Sequence, residues 1–337
     1  MDFRPSEEQV LLRDMVRRFL ADAIPAAEAG KAPLPVGDWR AMGELGVLGI
    51  ALPGAAGGMD GAPQDAAIVA EELGRAVAVT PFAEAMLGAA DLLARHGTTD
   101  QIDQRIVPAA EGTQRLAWAE GSVTDSDGSL DGTCPLVRWG ADADAFVIVD
   151  SGRAWLVAGD APGLDRHPSR LADGSVAATL SLHRCSATAL AVTDDDIIRA
   201  RALAQLGYVA EMVGIMATLL DQTVDYARQR RQFGVAIGTF QVLQHKLARM
   251  FVRLEQSRSL LLKAAATARD ASDFVRHVTA AKAYVAEAAQ HVAEEAVHLH
   301  GGMGVTDELV VGRALRRVMV LARVFGRAEE ARHRLAA

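Results

Sequence analysis

Few residues in this chain combine a reactive type with a suggestive spacing. Glu211 interrupts the apolar stretch LGYVAEMVGIM. A carboxylate on such a buried helix face needs a cationic partner or a pKa raised from its usual range. His298 and His300 stand two apart in HLHGGMG, an arrangement that invites a metal, but no Cys, Asp or Glu accompanies them at ligand spacing. Cys134 and Cys185 lack the spacing of a metal site or a redox pair. No Gly-x-Gly-x-x-Gly occurs, so a dinucleotide cradle on a parallel-sheet crossover is not expected. Arg230 and Arg231 close a long helical run, where the helix dipole favours positive charge. Gly301 and Gly302 mark a turn after another such run.

The elements that must position these residues follow from composition and periodicity. The 337 residues suffice for two or three domains with large apolar cores. Abundant alanine favours helices built on small side chains. With 35 basic and 43 acidic residues, the net charge of -8 argues against a nucleic-acid binder but allows a local basic site for an anionic cofactor. The N-terminus carries no apolar secretion stretch, and no run reaches the ~18 uninterrupted apolar residues of a membrane span. A cytoplasmic protein is expected.

The predicted fold class is α+β, mainly α. An N-terminal helical domain covers 1–115, a small middle β domain 116–192 and a C-terminal four-helix bundle 193–337. Ser6 precedes an amphipathic first helix carrying Val10, Leu11, Met15, Val16 and Phe19. Trp39, Met42, Leu45 and Leu48 suggest a short second helix, and residues 66–76 and 83–96 two more. The glycine-rich loop 52–61 either lines a ligand or makes a tight helix–helix turn. Strands are expected at 136–139, 145–149, 154–157 and 176–182, with turns at Asp127-Gly128, Asp131-Gly132 and Asp173-Gly174. Thr193, Asp194 and Asp195 cap a helix running to Arg230. Helices over 241–268, 273–298 and 307–325 follow.

This order of elements, with YARQRRQFGVAIGTFQVLQHKLARM at 226–250 and HLHGGMG at 298–304, resembles the acyl-CoA dehydrogenase family. The resemblance is strong over 197–325, recognisable over 1–112 and weak between. It implies FAD lying extended across a subunit interface. Arg230 would pair with the pyrophosphate and Phe233 would pack near the adenosine. Gln241 and Gln244 would sit on the helix approaching the cofactor, and His298 would stand where relatives often place a flavin-contacting glutamine. Gly301 and Gly302 would let backbone approach a neighbouring subunit's cofactor. Arginine's fixed fork of donors suits phosphate oxygens, and glycine permits approaches that a Cβ blocks.

The resemblance also implies a carboxylate base for the α-proton of an acyl-CoA, at one of two places. One lies 26 residues before Arg230 and holds Ala204; the other lies 24 residues after Gly301 and holds Phe325. Neither side chain accepts a proton. Glu211, two turns beyond Ala204 on nearly the same helix face, is either a displaced base or a structural partner of an arginine. Glu120, in AWAEG, falls where the family often has Thr-Glu-Pro, but Ala119 and Gly121 replace its neighbours. Glu329 and Glu330 read as part of a solvated final helix. Trp139 either shields the flavin ring or packs in a core.

Retained adenosine-end residues with a missing base imply the base-less subunit of a heteromeric acyl-CoA dehydrogenase. Its partner would be a larger homologous subunit carrying the base, acting on a possibly bulky acyl-CoA, as in steroid side-chain degradation. The alternatives are a self-sufficient homomer with a displaced glutamate, or a non-dehydrogenating flavoenzyme on the same fold. The run Ala202, Ala204, Gly207, Ala210, Gly214 fits either a roomy cavity or close helix packing.

Overall fold

A computed structural model describes residues 4–268 and 271–336. Eleven α-helices and ten strands are assigned among them. The helices are α1 (Glu7–Ala23), α2 (Val36–Glu44), α3 (Pro63–Arg75), α4 (Asp91–His96), α5 (Thr99–Gln101) and α6 (Val107–Ala110), then α7 (Asp194–Gln229), α8 (Gln241–Ala266), α9 (Ala271–His300), α10 (Val310–Leu321) and α11 (Ala328–Ala336). The α+β, mainly α class holds, with helices first, a β region next and a helix-rich C-terminal region last.

Local chemistry explains the boundaries. The Ser6 hydroxyl accepts the Gln9 N–H at 3.2 Å while the Gln9 side chain accepts the Ser6 N–H, a capping box that starts α1. At the start of α7 the Asp196 carboxylate accepts from the Thr193 N–H at 2.9 Å. The helix expected over 83–96 forms, but its first part, Ala83–Ala90, winds as a π-helix before α4. The last expected helix is shorter than 307–325: α10 covers Val310–Leu321, and residues 301–305 form a 3-10 turn before it.

Contacts divide the chain into two compact units. One comprises Leu34–Ala66 and Thr80–Gly207. It holds eight strands: β1 (Leu116–Glu120), β2 (Ser122–Ser126), β3 (Ser129–Arg138), β4 (Ala145–Asp150), β5 (Arg153–Ala158), β6 (Leu164–Arg170), β7 (Val176–Ser186) and β8 (Thr188–Ala189). They form two four-stranded sheets, ordered β1-β4-β5-β8 and β2-β3-β7-β6. Phe146, Ile148, Trp155, Val157, Leu130, Val137, Leu180 and Leu182 share one buried cluster. The four predicted strand segments fall in β3, β4, β5 and β7. Asp127-Gly128 turns β2 into β3 as expected, with φ of 53° and 82°. Asp131-Gly132 does not turn the chain. It is part of β3, at a register shift between Leu130 and Gly132. The Asp131 carboxylate there accepts the Arg184 N–H at 2.9 Å.

The other unit comprises Met1–Pro33, Ala67–Val79 and Tyr208–Ala337. Within it α9 packs against α8, α10 and α11. Alanines 281, 286, 288, 289, 293 and 296 are all buried, which lets neighbouring helices approach α9 closely. The helix α7 is long and apolar enough to cross a membrane, but 94% of its apolar window is buried, as in the core helix of a globular protein. Its small residues serve close packing. A Cβ at Gly214 would collide with the Glu71 carbonyl, and one at Gly207 would come within 3.0 Å of Ala83.

Candidate functional site

The segment after α7 has an unusual local conformation. Arg231–Gln232 (β9) and Val235–Ala236 (β10) pair antiparallel, and Phe233-Gly234 between them has φ of 52° and 83°. These are the left-handed values of a two-residue hairpin, natural for glycine and costly for phenylalanine. Phe233 is 91% exposed and meets Phe240 edge-on at 6.2 Å between ring centroids. Both the positive φ and the exposure of a large aromatic ring are unfavourable in water. Arg230 and Arg231 are exposed beside it, the latter donating to the Gly234 carbonyl at 3.2 Å. Gln241 and Gln244, on the first turn of α8, are also exposed; the Gln244 amide donates to the Gly238 carbonyl at 3.0 Å.

At the end of α9 the chain is equally open. His298, Gly301 and Gly302 are exposed, and no heavy atom lies within 4 Å of a Cβ built on either glycine. Gly301 has φ of 66°. Tyr226 joins this segment to the hairpin side. Its ring stacks on the His300 imidazole with centroids 4.3 Å apart and planes 26° from parallel. His300 is buried, and its Nδ1 lies 2.8 Å from the Ala296 carbonyl. Two motifs some seventy residues apart in sequence are thereby drawn together through one aromatic contact. Together they present exposed guanidinium groups, an exposed aromatic ring and open glycine backbone.

The acidic candidates lie elsewhere. Glu211 is buried, and its Oε1 accepts from Arg317 Nε at 2.7 Å. Arg317 is fully buried, so the two form an internal ion pair between α7 and α10. Glu120 is half-exposed; its Oε1 accepts from Trp118 Nε1 at 3.0 Å and lies 3.1 Å from Arg201 Nε. Both carboxylates thus face a guanidinium group. Ala204 is fully buried, and a Cβ on Gly88 would stand 3.3 Å from both Ala204 and Trp118. Phe325 takes φ of 56° ahead of Gly326 at 98°, and its ring lies 6.0 Å from that of the buried Tyr208, tilted by 55°. Glu329 and Glu330 are exposed at the start of α11, in keeping with a solvated helix.

Trp139 is 6% exposed and sits within the β-containing unit, with its backbone N–H donating to the Val176 carbonyl. Burial pushes the Cys134 thiol up to about 12, so it carries no thiolate at neutral pH. Among the described residues no group of three or more His, Cys, Asp or Glu side chains stands together.

Sequence reasoning gave an arginine partner for Glu211 as one alternative without singling out Arg317, and it missed Arg201 and Tyr208. Arg317 had a signal of sorts: it is the third arginine in GRALRRV, and its i, i+4 spacing from Arg313 places two of the three on the buried face of α10. A second buried pair, Glu84 with Arg138 at 3.0 Å, joins the π-helical segment to β3 and had no sequence signal.

Comparison with known proteins adds the family. Residues 199–337 match the model for the acyl-CoA dehydrogenase C-terminal domain, and residues 6–113 match that for its N-terminal domain. The acyl-CoA dehydrogenase IpdE2 of Mycobacterium tuberculosis is 30% identical, over 90% of this chain and 88% of that protein. The structure of the ChsE4-ChsE5 complex from Mycobacterium tuberculosis superposes with a TM-score of 0.91 at 27% identity, covering 100% of this chain and 98% of the matched one. A variant structure of the Tcur3481-Tcur3483 steroid acyl-CoA dehydrogenase superposes with a TM-score of 0.88 at 28% identity, covering 98% and 97%.

Proposed function

The chain belongs to the acyl-CoA dehydrogenase family, and from that premise we propose that it is a subunit of an FAD-dependent enzyme forming α,β-unsaturated acyl-CoA thioesters, contributing to the flavin site while a larger homologous partner supplies the base. The observation that carries this reading is the state of the acids. Neither position that relatives use for the base holds a carboxylate, and Glu211 and Glu120 are each held by an arginine. Glu211 is engaged in an internal ion pair and Glu120 is held by Trp118 and Arg201, so neither is set apart to meet an α-carbon.

The residues present fit the phosphate and adenosine end of FAD. Arg230 offers a planar fork of donors to the pyrophosphate, and the Phe233 ring offers an apolar surface to the adenosine. Gln241 and Gln244 add amide donors from α8, and His298 adds a ring nitrogen. Gly301 and Gly302 leave room for backbone N–H groups to come close, since nothing occupies their Cβ space. When bound, FAD supplies the hydride acceptor for the β-carbon of the acyl group. This chain's part is to hold and orient the cofactor, and the partner's part is to take the α-proton.

Two of the similar structures are the ChsE4-ChsE5 complex and the Tcur3481-Tcur3483 steroid acyl-CoA dehydrogenase. That supports a heteromeric assembly and a bulky acyl group here. The test is to purify the complex from its native host and measure its subunits, its flavin content and flavin bleaching by acyl-CoA. A homologous second chain with about one reducible flavin per pair is expected. A homomer whose flavin bleaches with acyl-CoA, and stops bleaching on Glu211→Gln or Glu120→Gln with flavin retained, sinks the reading.

A further inference from the structure

We propose that the chain carries a small-molecule site, apart from the motifs expected to face a flavin, that takes a carboxylic acid with a short apolar body. The site is a cleft of about 470 Å³ inside the unit that holds α1, α3, α7 and α10, and all four helices contribute to its wall. That volume lies in the range of ordinary ligand pockets. The proposal stands independently of the function proposed above.

The end of α3 opens the space. A Cβ at Gly214 of α7 would collide with the Glu71 carbonyl, so α3 and α7 touch at that level. One turn further on, the Thr218 hydroxyl donates to the Arg75 carbonyl at 2.7 Å. There α3 stops. The Val77 N–H donates to the Gly74 carbonyl and the Ala78 N–H to the Leu73 carbonyl, both at 2.9 Å, which is the bonding of a left-handed helix end. Val77 stands where glycine is usual, with φ of 49°. The chain turns away, and Gln222, one turn beyond Thr218 on α7, lines the cleft that this leaves.

The lining divides by chemistry. Leu20, Ile24, Val77 and Val310 give it an apolar wall. Arg17 and Arg75 give it cations. Arg17 donates to the Glu72 carboxylate from Nε at 2.9 Å and from Nη2 at 2.8 Å, which fixes the guanidinium and leaves Nη1 open. Arg75 is only 28% exposed, yet among the described residues its side chain donates no hydrogen bond. The carboxylate paired with it, Asp221, stands 3.6 Å away and is 69% exposed, so the pair is loose and screened. A guanidinium has five N–H donors, and one largely withdrawn from water without an acceptor favours an anion. The Gln222 amide also has no partner among the described residues. Unbonded donors beside an apolar wall suit a carboxylate at Arg75 and Gln222 with its hydrocarbon body against Leu20, Ile24, Val77 and Val310.

Isothermal titration of the full chain with octanoate, octanol and inorganic phosphate tests the site. Octanoate carries both features, octanol only the tail, and phosphate only the charge. Octanoate is expected to bind about tenfold or more tighter than either. Arg75→Met is expected to weaken octanoate about tenfold or more. Its melting temperature is expected to stay near the parent's, because the guanidinium it removes donates no hydrogen bond and its ion pair is loose. Ala21→Trp, at an exposed position of α1 that lines the cleft, is expected to fill the space and cause a similar loss while sparing the fold.

The site is overturned if octanoate fails to bind about tenfold tighter than octanol and phosphate, or if either variant melts as the parent does and keeps octanoate affinity within about tenfold of it. Loss of octanoate in both folded variants, with the preference over octanol intact in the parent, supports it.

Discussion

Glu211 on α7 and Arg317 on α10 meet at 2.7 Å with both side chains buried, 106 residues apart in sequence. The contact turns the one carboxylate that sequence places in an apolar helix into half of an internal ion pair. Removing one partner of such a pair strands a buried charge, at a cost of about 3–5 kcal/mol. Arg317→Met and Glu211→Gln are therefore each expected to lower the urea unfolding midpoint sharply. The double replacement Glu211→Leu with Arg317→Met is expected to recover most of the loss, because well-packed apolar residues often match a buried pair. Midpoints for the four proteins check this.

Flavin retention is expected to depend on Arg230. Charge-assisted hydrogen bonds to phosphate contribute about 1.5–3 kcal/mol, so Arg230→Ala is expected to weaken FAD binding roughly 10–100-fold. Arg230→Lys is expected to recover only part, since an ammonium lacks the planar fork. Flavin absorbance remaining after dialysis of the assembled complex measures both.

Phe233 separates folding from function. Its φ of 52° is one that glycine adopts freely, so Phe233→Gly is expected to leave stability unchanged or raise it by up to about 1 kcal/mol. The same change removes a 91% exposed ring and is expected to reduce both flavin content and subunit association. Thermal melting set beside sedimentation velocity and flavin content gives the comparison. A loss of stability equal to the loss of flavin contradicts the assignment.

Alkaline pH is expected to act through the buried thiols. Burial, with a smaller contribution from Asp150, raises Cys134 from 9.0 to about 12, and burial raises Cys185 as well. The unfolded chain releases these protons from about pH 9 upward while the folded chain keeps them. Stability from Cys134 is therefore complete below pH 9 and drains away between pH 9 and about pH 12. At about 1.36 kcal/mol per pH unit, roughly 2 kcal/mol is lost by about pH 10.5. Urea unfolding at pH 8 and pH 10.5 is expected to show that loss, and a smaller one in Cys134→Ala. Iodoacetamide at pH 8 is expected to leave Cys134 unmodified in the folded protein.

Much of the chain was legible because its signals are local. Helical periodicity, the Ser6 cap, the Thr193–Asp196 start of α7 and the QFG hairpin depend on residues within a few positions of one another. The mainly α class and the order of helices, strands and helices could therefore be read from the chain. So could the two motifs expected to face a flavin, because Gly234 and Gly301 are the residue type that adopts their positive φ freely.

What the sequence left open is decided between distant segments. Asp131-Gly132 has the composition of a turn, but pairing of β3 with β2 and β7 absorbs it as an irregularity within a strand. Glu211 stood between base and structural residue until α10 brought Arg317 beside it. The small residues of α7 fitted a cavity or close packing equally, until the Glu71 carbonyl at Gly214 and Ala83 at Gly207 filled the space. Tyr226 and His300 carry no sequence sign of their stacking. In each case residue type fixes what a group can do, while burial and partner, which arise only when remote segments pack, fix what it does.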